Sequence, residues 1–217
     1  MSATKINVKP IPEPTLRRLP WYLAYVQLLE AKEEVVVSST VIARGTGVDP
    51  SLVAKDLSYV DLRGKTRVGY EIKEMIAVLE DFLGFNRVKK AYIFGVGSLG
   101  GALISDRGLE HYGLDIVAGF DISPDVVGTT IGDIPVYHMD ELASIAQDDV
   151  EIGVLTVPVD NAQLVTDRII KEAKVKAIWN FTPFRIIVPD EIVVQNTSMY
   201  SHLAVMFQRM REQLAGK

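Results

Sequence analysis

Residues 93–105 read IFGVGSLGGALIS, and this stretch decides how the larger part of the chain folds. An apolar run typical of a buried strand leads into three glycines, Gly95, Gly97 and Gly100, spaced G-x-G-x-x-G. From Leu99 to Ile104 the residues are typical of the start of a helix. The stretch therefore predicts a strand, a tight turn and a helix in immediate succession.

The residues that follow make this glycine motif specific. A second apolar segment, DIVAGFD, ends in Asp121, which lies 21 residues after Gly100. In a βαβ unit of this kind Gly95 permits the turn, Gly97 lets backbone N–H groups approach a pyrophosphate, and Gly100 lets the helix pack closely on the strand. A carboxylate at Asp121 would accept hydrogen bonds from an adenosine ribose and repel a 2′-phosphate. The motif thus favours NAD or NADH as the ligand, and a purely structural glycine turn is the alternative.

From Lys89 onward, short apolar strands alternate with helical segments. The strands read KAYIFGV, DIVAGFD, IPVYH, IGVLTVP, KAIWNF and EIVVQN. This alternation predicts an α/β fold, in which a parallel sheet is covered by helices. We expect a Rossmann-type dinucleotide-binding domain over residues 85–197 and a C-terminal dimerisation helix over residues 198–217. The apolar positions of this helix lie in line, so it packs on its own domain or reaches a partner.

Residues 1–84 predict a separate, mainly helical domain. Residues 1–14 carry three prolines and little periodicity, which favours a loose arm. A helical pattern begins at Thr15, and its apolar residues recur at spacings of three and four. A second, shorter helix follows, which Ser39 can cap and Gly45 can end.

A third helix begins with Asp49 as its N-cap and Pro50 at the first helical position, where the missing N–H costs nothing. The short turn before it indicates a helix-turn-helix. The next segment, YVDLRGKTRVGY at residues 59–70, favours a β-hairpin because it contains two isolated glycines. A fourth helical pattern runs through residues 71–83. Together these elements predict a winged-helix DNA-binding domain.

Basic residues cluster on this predicted winged helix. Lys55 lies on the third helix and Arg63, Lys65 and Arg67 lie on the hairpin, where they could pair with DNA phosphates. Residues 1–90 carry 14 Lys and Arg against 11 Asp and Glu, a net charge of +3, whereas the remainder carries 9 against 17, a net charge of −8. This asymmetry favours an anionic partner at the N-terminal end. A solvated basic face or a protein-binding surface is the alternative.

The composition excludes several kinds of site. The chain has no cysteine, which excludes disulfides, thiolate zinc sites and cysteine nucleophiles. Its three histidines are far apart and lack metal-ligand spacing, so no metal site is predicted. No apolar run approaches the ~20 residues that span a membrane, and the start MSATKINVKP lacks a signal-peptide core. The expected location is therefore the cytoplasm.

The predicted dinucleotide site lacks an evident catalyst. A hydride-transfer enzyme needs an acid or base beside the nicotinamide, commonly His, Lys or Tyr. The strand ends where such a group would lie read LTVP at 155–158 and NFTP at 180–183. They offer a cradle for a ring without an evident general acid, so no catalytic residue is predicted. Alternatively, both segments are no more than sharp strand ends.

Taken in this order, the segments resemble the Rex family of redox-sensing transcriptional repressors. The likeness runs from about Leu16 to Leu214. Its specific matches are LRRLPWYL at 16–23, VDPSLVAKDLSY at 48–59, VGY at 68–70, GVGSLGGAL at 95–103, FDISPDVVG at 120–128, LTVPVDNAQ at 155–163 and NFTP at 180–183.

The resemblance implies a homodimer that binds a pseudo-palindromic operator and releases it when NADH binds. It also implies that NADH and NAD act as effector ligands and that the terminal helices are exchanged between subunits. The residues that would hold the pyrophosphate are Gly95, Gly97, Ser98, Leu99 and Gly100. Asp121 would hold the adenosine ribose. The nicotinamide end would meet Thr156, Val157, Pro158, Thr182 and Pro183. The residues that would face DNA are Ser39, Lys55, Arg63, Lys65 and Arg67.

Several positions depart from the family pattern. The recognition helix usually carries V-R-K-D-L, and here Ala54 replaces the arginine; the hairpin usually reads G-x-R-G-x-G-Y, and here the arginine stands at Arg67. In some members an arginine, an aromatic residue and an aspartate form a polar network that switches with nicotinamide state, at positions held here by Ala24, Asp106 and Ser198. We nevertheless predict an NADH-responsive repressor. One alternative is an NAD-dependent oxidoreductase. The other is an NADH sensor that acts through a protein partner, and Ala54 favours this second alternative.

Overall fold

The computed structural model of the chain describes residues 11–215, which divide between Arg87 and Val88 into two compact units. In its described part, the first unit contains α1 (Glu13–Glu30), β1 (Val36–Val37), α2 (Ser39–Thr46), α3 (Pro50–Tyr59), β2 (Tyr70–Glu71) and α4 (Ile72–Leu83). Most of the expected N-terminal arm lies outside the described residues. Where the chain is described, α1 begins two residues before its predicted start at Thr15.

The first unit has its own hydrophobic core, to which every helix contributes. The buried residues of α1, α2, α3 and α4 are Leu19, Tyr22, Leu23, Val26, Ile42, Val53, Leu57, Ile72, Met75 and Leu79. The start of α3 is confirmed, since Asp49 accepts a hydrogen bond from the Ser51 N–H at 2.8 Å and Pro50 is the first helical residue. Helices α2 and α3 therefore form the predicted helix-turn-helix.

Both predicted ends of α2 were wrong. The N-cap is Ser38, whose side chain accepts a hydrogen bond from the Val41 N–H at 3.2 Å, and Ser39 is already helical. Adjacent serines are equally able to cap a helix, so the sequence does not distinguish them. The helix ends at Gly47, which adopts φ of 69° as a left-handed C-cap, and Gly45 lies within the helix, against Tyr25.

The predicted hairpin over residues 59–70 forms only in part. The first residue of this range, Tyr59, belongs to α3. At its other end, β2 pairs antiparallel with the distant β1, where Tyr70 lies opposite Val37. Between them lies the wing, residues 63–69, which the Lys65 N–H closes by donating to the Gly69 carbonyl at 2.8 Å. Pairing with β1 was not predicted because it joins segments more than 30 residues apart in sequence.

The second unit is built on a seven-stranded sheet. Its described elements are β3 (Lys89–Phe94), α5 (Ser98–Ser105), α6 (Arg107–His111), β4 (Leu114–Asp121), β5 (Thr130–Ile131), β6 (Ile134–His138), α7 (Leu142–Ile145), β7 (Val150–Leu155), α8 (Ala162–Arg168), β8 (Ala177–Asn180), β9 (Val193–Asn196) and α9 (Met199–Ala215). The strand order is β5-β6-β4-β3-β7-β8-β9. All six predicted strands are present and pair in parallel, whereas the short β5 was not predicted and runs antiparallel to β6.

This order places a crevice at the middle of the sheet. Strand β3 is central, β4 and β6 follow on one side, and β7, β8 and β9 follow on the other. Along β3, Tyr92 and Phe94 are buried on one face and Ala91 and Ile93 on the other, so helices cover both faces. In open parallel sheets ligands bind beyond the carboxyl ends of the strands, where the order reverses. Here that point lies between β3 and β7.

The last described element is α9, and residues 11–215 leave its apolar side uncovered. Every residue of α9 is exposed. The large apolar ones are Met199, Tyr200, Leu203, Val205, Met206, Phe207, Met210 and Leu214. Between residues 11 and 215, no helix has the length and apolar character needed to cross a bilayer.

Candidate functional site

The glycine loop lies between β3 and α5, at the crevice. Gly95 has φ of 93°, which side chains rarely tolerate, and its N–H donates to the Phe120 carbonyl at 2.8 Å. Gly97 is the N-cap of α5, and a side-chain carbon added there would meet open space rather than protein. The first turn of α5, which contains Ser98 and Leu99, directs unsatisfied amide groups and the positive end of the helix dipole at this space. The loop is therefore arranged to accept an anion such as a pyrophosphate.

Gly100 is required by close packing. A side-chain carbon at this position would collide with the Gly95 carbonyl oxygen and lie 3.0 Å from the Thr156 Oγ1. Thr156 holds the same loop, since its hydroxyl donates to the Gly95 carbonyl at 2.6 Å. The helix, the glycine loop and the end of β7 are thus held together at this point.

We expect Gly100→Ala to displace the loop, lowering the free energy of unfolding by about 1–3 kcal/mol and weakening nucleotide binding at least tenfold. The matched control is Gly101→Ala on the next residue of the same helix. There the added carbon would meet only Ile131 Cδ1, at 3.6 Å, an ordinary contact. Chemical unfolding and ligand titration of both variants check this. Equal nucleotide affinity in the two variants would contradict the assigned role of Gly100.

Asp121 ends β4 and faces the same crevice. One of its oxygens accepts a hydrogen bond from the Val96 N–H at 2.5 Å, and the other accepts from the N–H groups of Ile122 and Ser123 at 2.7 and 2.8 Å. The carboxylate therefore fixes the glycine loop to the end of β4. Each carboxylate oxygen can accept more than one hydrogen bond, so Asp121 retains capacity for ribose hydroxyls.

A cavity of about 700 Å³ connects these groups, within the range of small-molecule and cofactor sites. Its lining residues are Gly95, Val96, Gly97, Phe120, Asp121, Ile122, Ser123, Asp125, Val126, Met139, Thr156, Val157, Pro158, Asn161, Leu164, Val165 and Arg168. The structure thus brings together Gly95, Gly97, Asp121 and the segment from Thr156 to Pro158, whereas the predicted Ser98, Leu99 and Gly100 are not in this lining. Sequence reasoning missed Arg168, since an arginine within a helix carries no motif.

The other predicted nicotinamide segment lies outside this lining. Thr182 is buried, and its hydroxyl donates to the Asn180 Oδ1 at 2.8 Å. The amide nitrogen of Asn180 in turn donates to the Phe184 carbonyl at 2.8 Å and to the Asn196 Oδ1 at 2.9 Å. These bonds brace the turn that holds Pro183 at the end of β8. Among residues 11–215, no group of three or more His, Asp or Glu residues could hold a metal ion.

In the first unit, the basic residues predicted to face DNA are exposed. Lys55 lies on α3 next to the exposed Ala54, and the wing carries Arg63, Lys65 and Arg67. Arg67 adopts φ of 66°, a left-handed conformation that is uncommon for a residue with a side chain. Ser39, in the first turn of α2, is half-buried.

Helix α3 is fixed by a buried carboxylate that the sequence analysis did not identify. Asp56 is only 1% exposed and accepts hydrogen bonds from three residues of α1. The Arg18 guanidinium donates to both of its oxygens, at 2.7 and 2.8 Å, and the hydroxyls of Thr15 and Tyr22 donate at 2.9 and 2.7 Å. These contacts set the orientation of the helix that bears Lys55.

Comparison with known proteins yields matches to both units. A family model described as "CoA binding domain" matches residues 86–184, and one described as "Putative DNA-binding protein N-terminus" matches residues 10–58. A protein of Bacteroides thetaiotaomicron named redox-sensing transcriptional repressor Rex is 58% identical, covering 95% of this chain and 94% of its own. One of Porphyromonas gingivalis with the same name is 62% identical, covering 93% and 92%.

Solved structures agree with these relatives. A structure described as RSP in complex with β-NAD⁺ and operator DNA superposes with a TM-score of 0.88 at 31% identity, covering 95% of both chains. A structure described as RSP in complex with β-NADH superposes with a TM-score of 0.84 at 31% identity, covering 95% of this chain and 97% of the other.

Proposed function

The chain belongs to the Rex family of redox-sensing transcriptional repressors, and on that premise we propose that it binds operator DNA as a homodimer and leaves the operator when NADH binds. The observation that carries this proposal is a dinucleotide cavity, built by the glycine loop and Asp121, in the same chain as a winged helix with a basic wing. The structures described with NADH, NAD⁺ and operator DNA support both parts of the proposal, nucleotide binding and operator binding.

We propose that NADH or NAD binds with its pyrophosphate at the amide groups of the glycine loop and its adenosine ribose at Asp121. The charge of Asp121 disfavours a 2′-phosphate at that place. The segment from Thr156 to Pro158 lies at the end of β7, on the other side of the crevice, and is the proposed position of the nicotinamide. Thr182 and Pro183 are assigned to the same end through the resemblance alone.

We infer that the nucleotide is a signal rather than a reactant. The named relatives are regulators, and the charged residues that line the cavity are Asp121, Asp125 and Arg168. An oxidoreductase would consume NADH in the presence of a carbonyl substrate. An NADH absorbance that stays constant over time with a panel of carbonyl compounds therefore supports the role of the nucleotide as a signal.

A repressor acts on the genome, and we therefore place the protein in the cytoplasm.

The DNA half of the proposal rests on α3 and the wing. Lys55, Arg63, Lys65 and Arg67 are exposed and can contact phosphates on either side of a groove. The experiment is to select fragments of genomic DNA bound by the protein without NADH, at a fixed salt concentration. Recovery of a pseudo-palindromic site supports the repressor. If no specific fragment is recovered, the alternative is a sensor that acts through a protein partner. Ala54 favours this alternative because it leaves the exposed face of α3 less basic.

We propose that the apolar side of α9 is covered by a second copy of the chain. At 100° per residue, Leu203 and Met210 lie on that side, whereas Gln208 and Glu212 lie on the opposite one. Replacing Leu203 and Met210 by serine is expected to convert the dimer to a monomer, as measured by analytical ultracentrifugation. The matched control replaces Gln208 and Glu212 by serine and remains dimeric. A dimer in both double variants would contradict this use of α9.

A further inference from the structure

The dinucleotide cavity has further lining residues besides the glycine loop, Asp121 and the segment from Thr156 to Pro158. Among them are the apolar residues Phe120, Met139, Leu164 and Val165, and Arg168 from the last turn of α8. Arginine is unusual in such surroundings because it must be held and its charge balanced. Its side chain is 30% exposed, so part of it remains accessible from the cavity.

Four hydrogen bonds hold the Arg168 guanidinium, and all of them lie along the edges of its plane. Nε and one terminal nitrogen donate to the two carboxylate oxygens of Glu172, at 2.9 and 3.1 Å. The other terminal nitrogen donates to Asp140 at 3.1 Å, and the Met139 carbonyl accepts at 2.9 Å. Because these bonds use the edges of the group, none of them occupies its flat faces, and a guanidinium can stack on a ring through such a face.

The bonds to Met139 and Asp140 place the guanidinium on one side of the crevice. Both residues directly follow β6, and the last residue of β6, His138, lies opposite Asp121 in the register with β4. The guanidinium of Arg168 therefore reaches from α8 to the half of the sheet that carries Asp121. The proposed nicotinamide position, at the end of β7, is on the opposite half.

We propose that Arg168 forms a wall of the adenine pocket and stacks its guanidinium on the adenine ring. This inference rests on the proposed function, in particular on a dinucleotide whose ribose lies at Asp121. A 2′-phosphate is a poor alternative ligand for this arginine. Glu172 and Asp140 already accept from it and would repel a further anion. Stacking uses a flat face that carries no hydrogen bond, and a flat cation on an aromatic ring is a favourable arrangement.

The test is Arg168→Leu in the full-length protein, with titration of NADH, NAD, ADP-ribose and reduced nicotinamide mononucleotide. We expect the affinities for NADH, NAD and ADP-ribose to fall about tenfold and by the same factor, so that the ratio of NADH to NAD affinity is unchanged. The affinity for the mononucleotide, which lacks adenine, stays the same. The matched control is Arg107→Ala, a highly exposed arginine of the same unit that does not line the cavity.

A second variant covers the case in which Arg168→Leu fails to fold. Arg168→Lys keeps the charge but has no flat face, and it is expected to lose ADP-ribose affinity while remaining folded. Unchanged ADP-ribose affinity in a folded variant overturns the inference, as does tighter binding of NADPH than of NADH by the wild type. If the wild type binds neither NADH nor ADP-ribose, the proposed function itself fails. The two failures are therefore distinguishable.

Discussion

Replacing Asp56 by alanine is expected to destabilise the winged-helix unit by about 3–5 kcal/mol, the usual cost of breaking a buried ion pair from one side. The Arg18 guanidinium, with only 17% of its side chain exposed, would then remain partly buried without its carboxylate. The hydroxyls of Thr15 and Tyr22 would lose their acceptor as well. Because all these contacts join α1 to α3, operator affinity should fall together with stability.

The measurement is chemical unfolding of the variant and the wild type. Glu74→Ala, which removes an exposed carboxylate from the same unit, is the control and should change stability by no more than about 0.5 kcal/mol. A loss below about 1 kcal/mol in Asp56→Ala would contradict a structural role for the buried carboxylate.

The same network predicts a pH dependence. Burial alone would raise the pKa of Asp56, but the hydrogen bonds from Arg18, Tyr22 and Thr15 outweigh it and hold that pKa below its ordinary value. A lowered carboxyl pKa in the folded state stabilises the protein above the unfolded-state value of about 3.9. This stabilisation is lost as pH falls through the folded-state pKa. Wild-type stability should therefore decline more steeply with acid below about pH 4 than that of Asp56→Ala.

Replacing Asp121 by alanine is expected to weaken NADH binding by about 100-fold. Hydrogen bonds to a charged group contribute about 1.5–3 kcal/mol each, and the variant cannot make those that we propose with the ribose. It also loses the bond from the Val96 N–H, which fixes the glycine loop to β4. NADH should then fail to release the operator at concentrations that release the wild type.

Isothermal titration of NADH measures this effect. Asp133→Ala is the matched control, since Asp133 is an exposed carboxylate in the turn between β5 and β6. Affinity in Asp121→Ala within threefold of the wild type would refute the ribose assignment. A large loss of affinity in both variants would instead indicate a general effect of charge.

Sequence patterns predicted the elements whose signals are local. Asp49 and Pro50 marked the start of α3, and the glycine spacing with Asp121 marked the βαβ unit, because each uses neighbouring residues. The predicted N-cap of α2 was wrong because Ser38 and Ser39 offer the same chemistry one residue apart. Such a choice depends on packing that the sequence does not display.

Contacts between distant residues could not be predicted in the same way. Asp56 meets a hydroxyl 41 residues away, and Arg168 meets a carboxylate 28 residues away. Neither pair has a recognisable spacing in the sequence. From the sequence alone, Asp56 and Arg168 are therefore indistinguishable from ordinary surface charges. The pairing of β1 with β2 is of the same kind, and it explains why the predicted hairpin forms only in part, as the wing.

NADH binding and operator binding are expected to oppose each other. The most direct test is to assemble the full-length protein on its selected operator at a fixed salt concentration and to titrate NADH and NAD separately, following the complex by fluorescence anisotropy. We expect NADH to dissociate the complex at a much lower concentration than NAD. Dissociation by both nucleotides at the same concentration, or by neither, would contradict it.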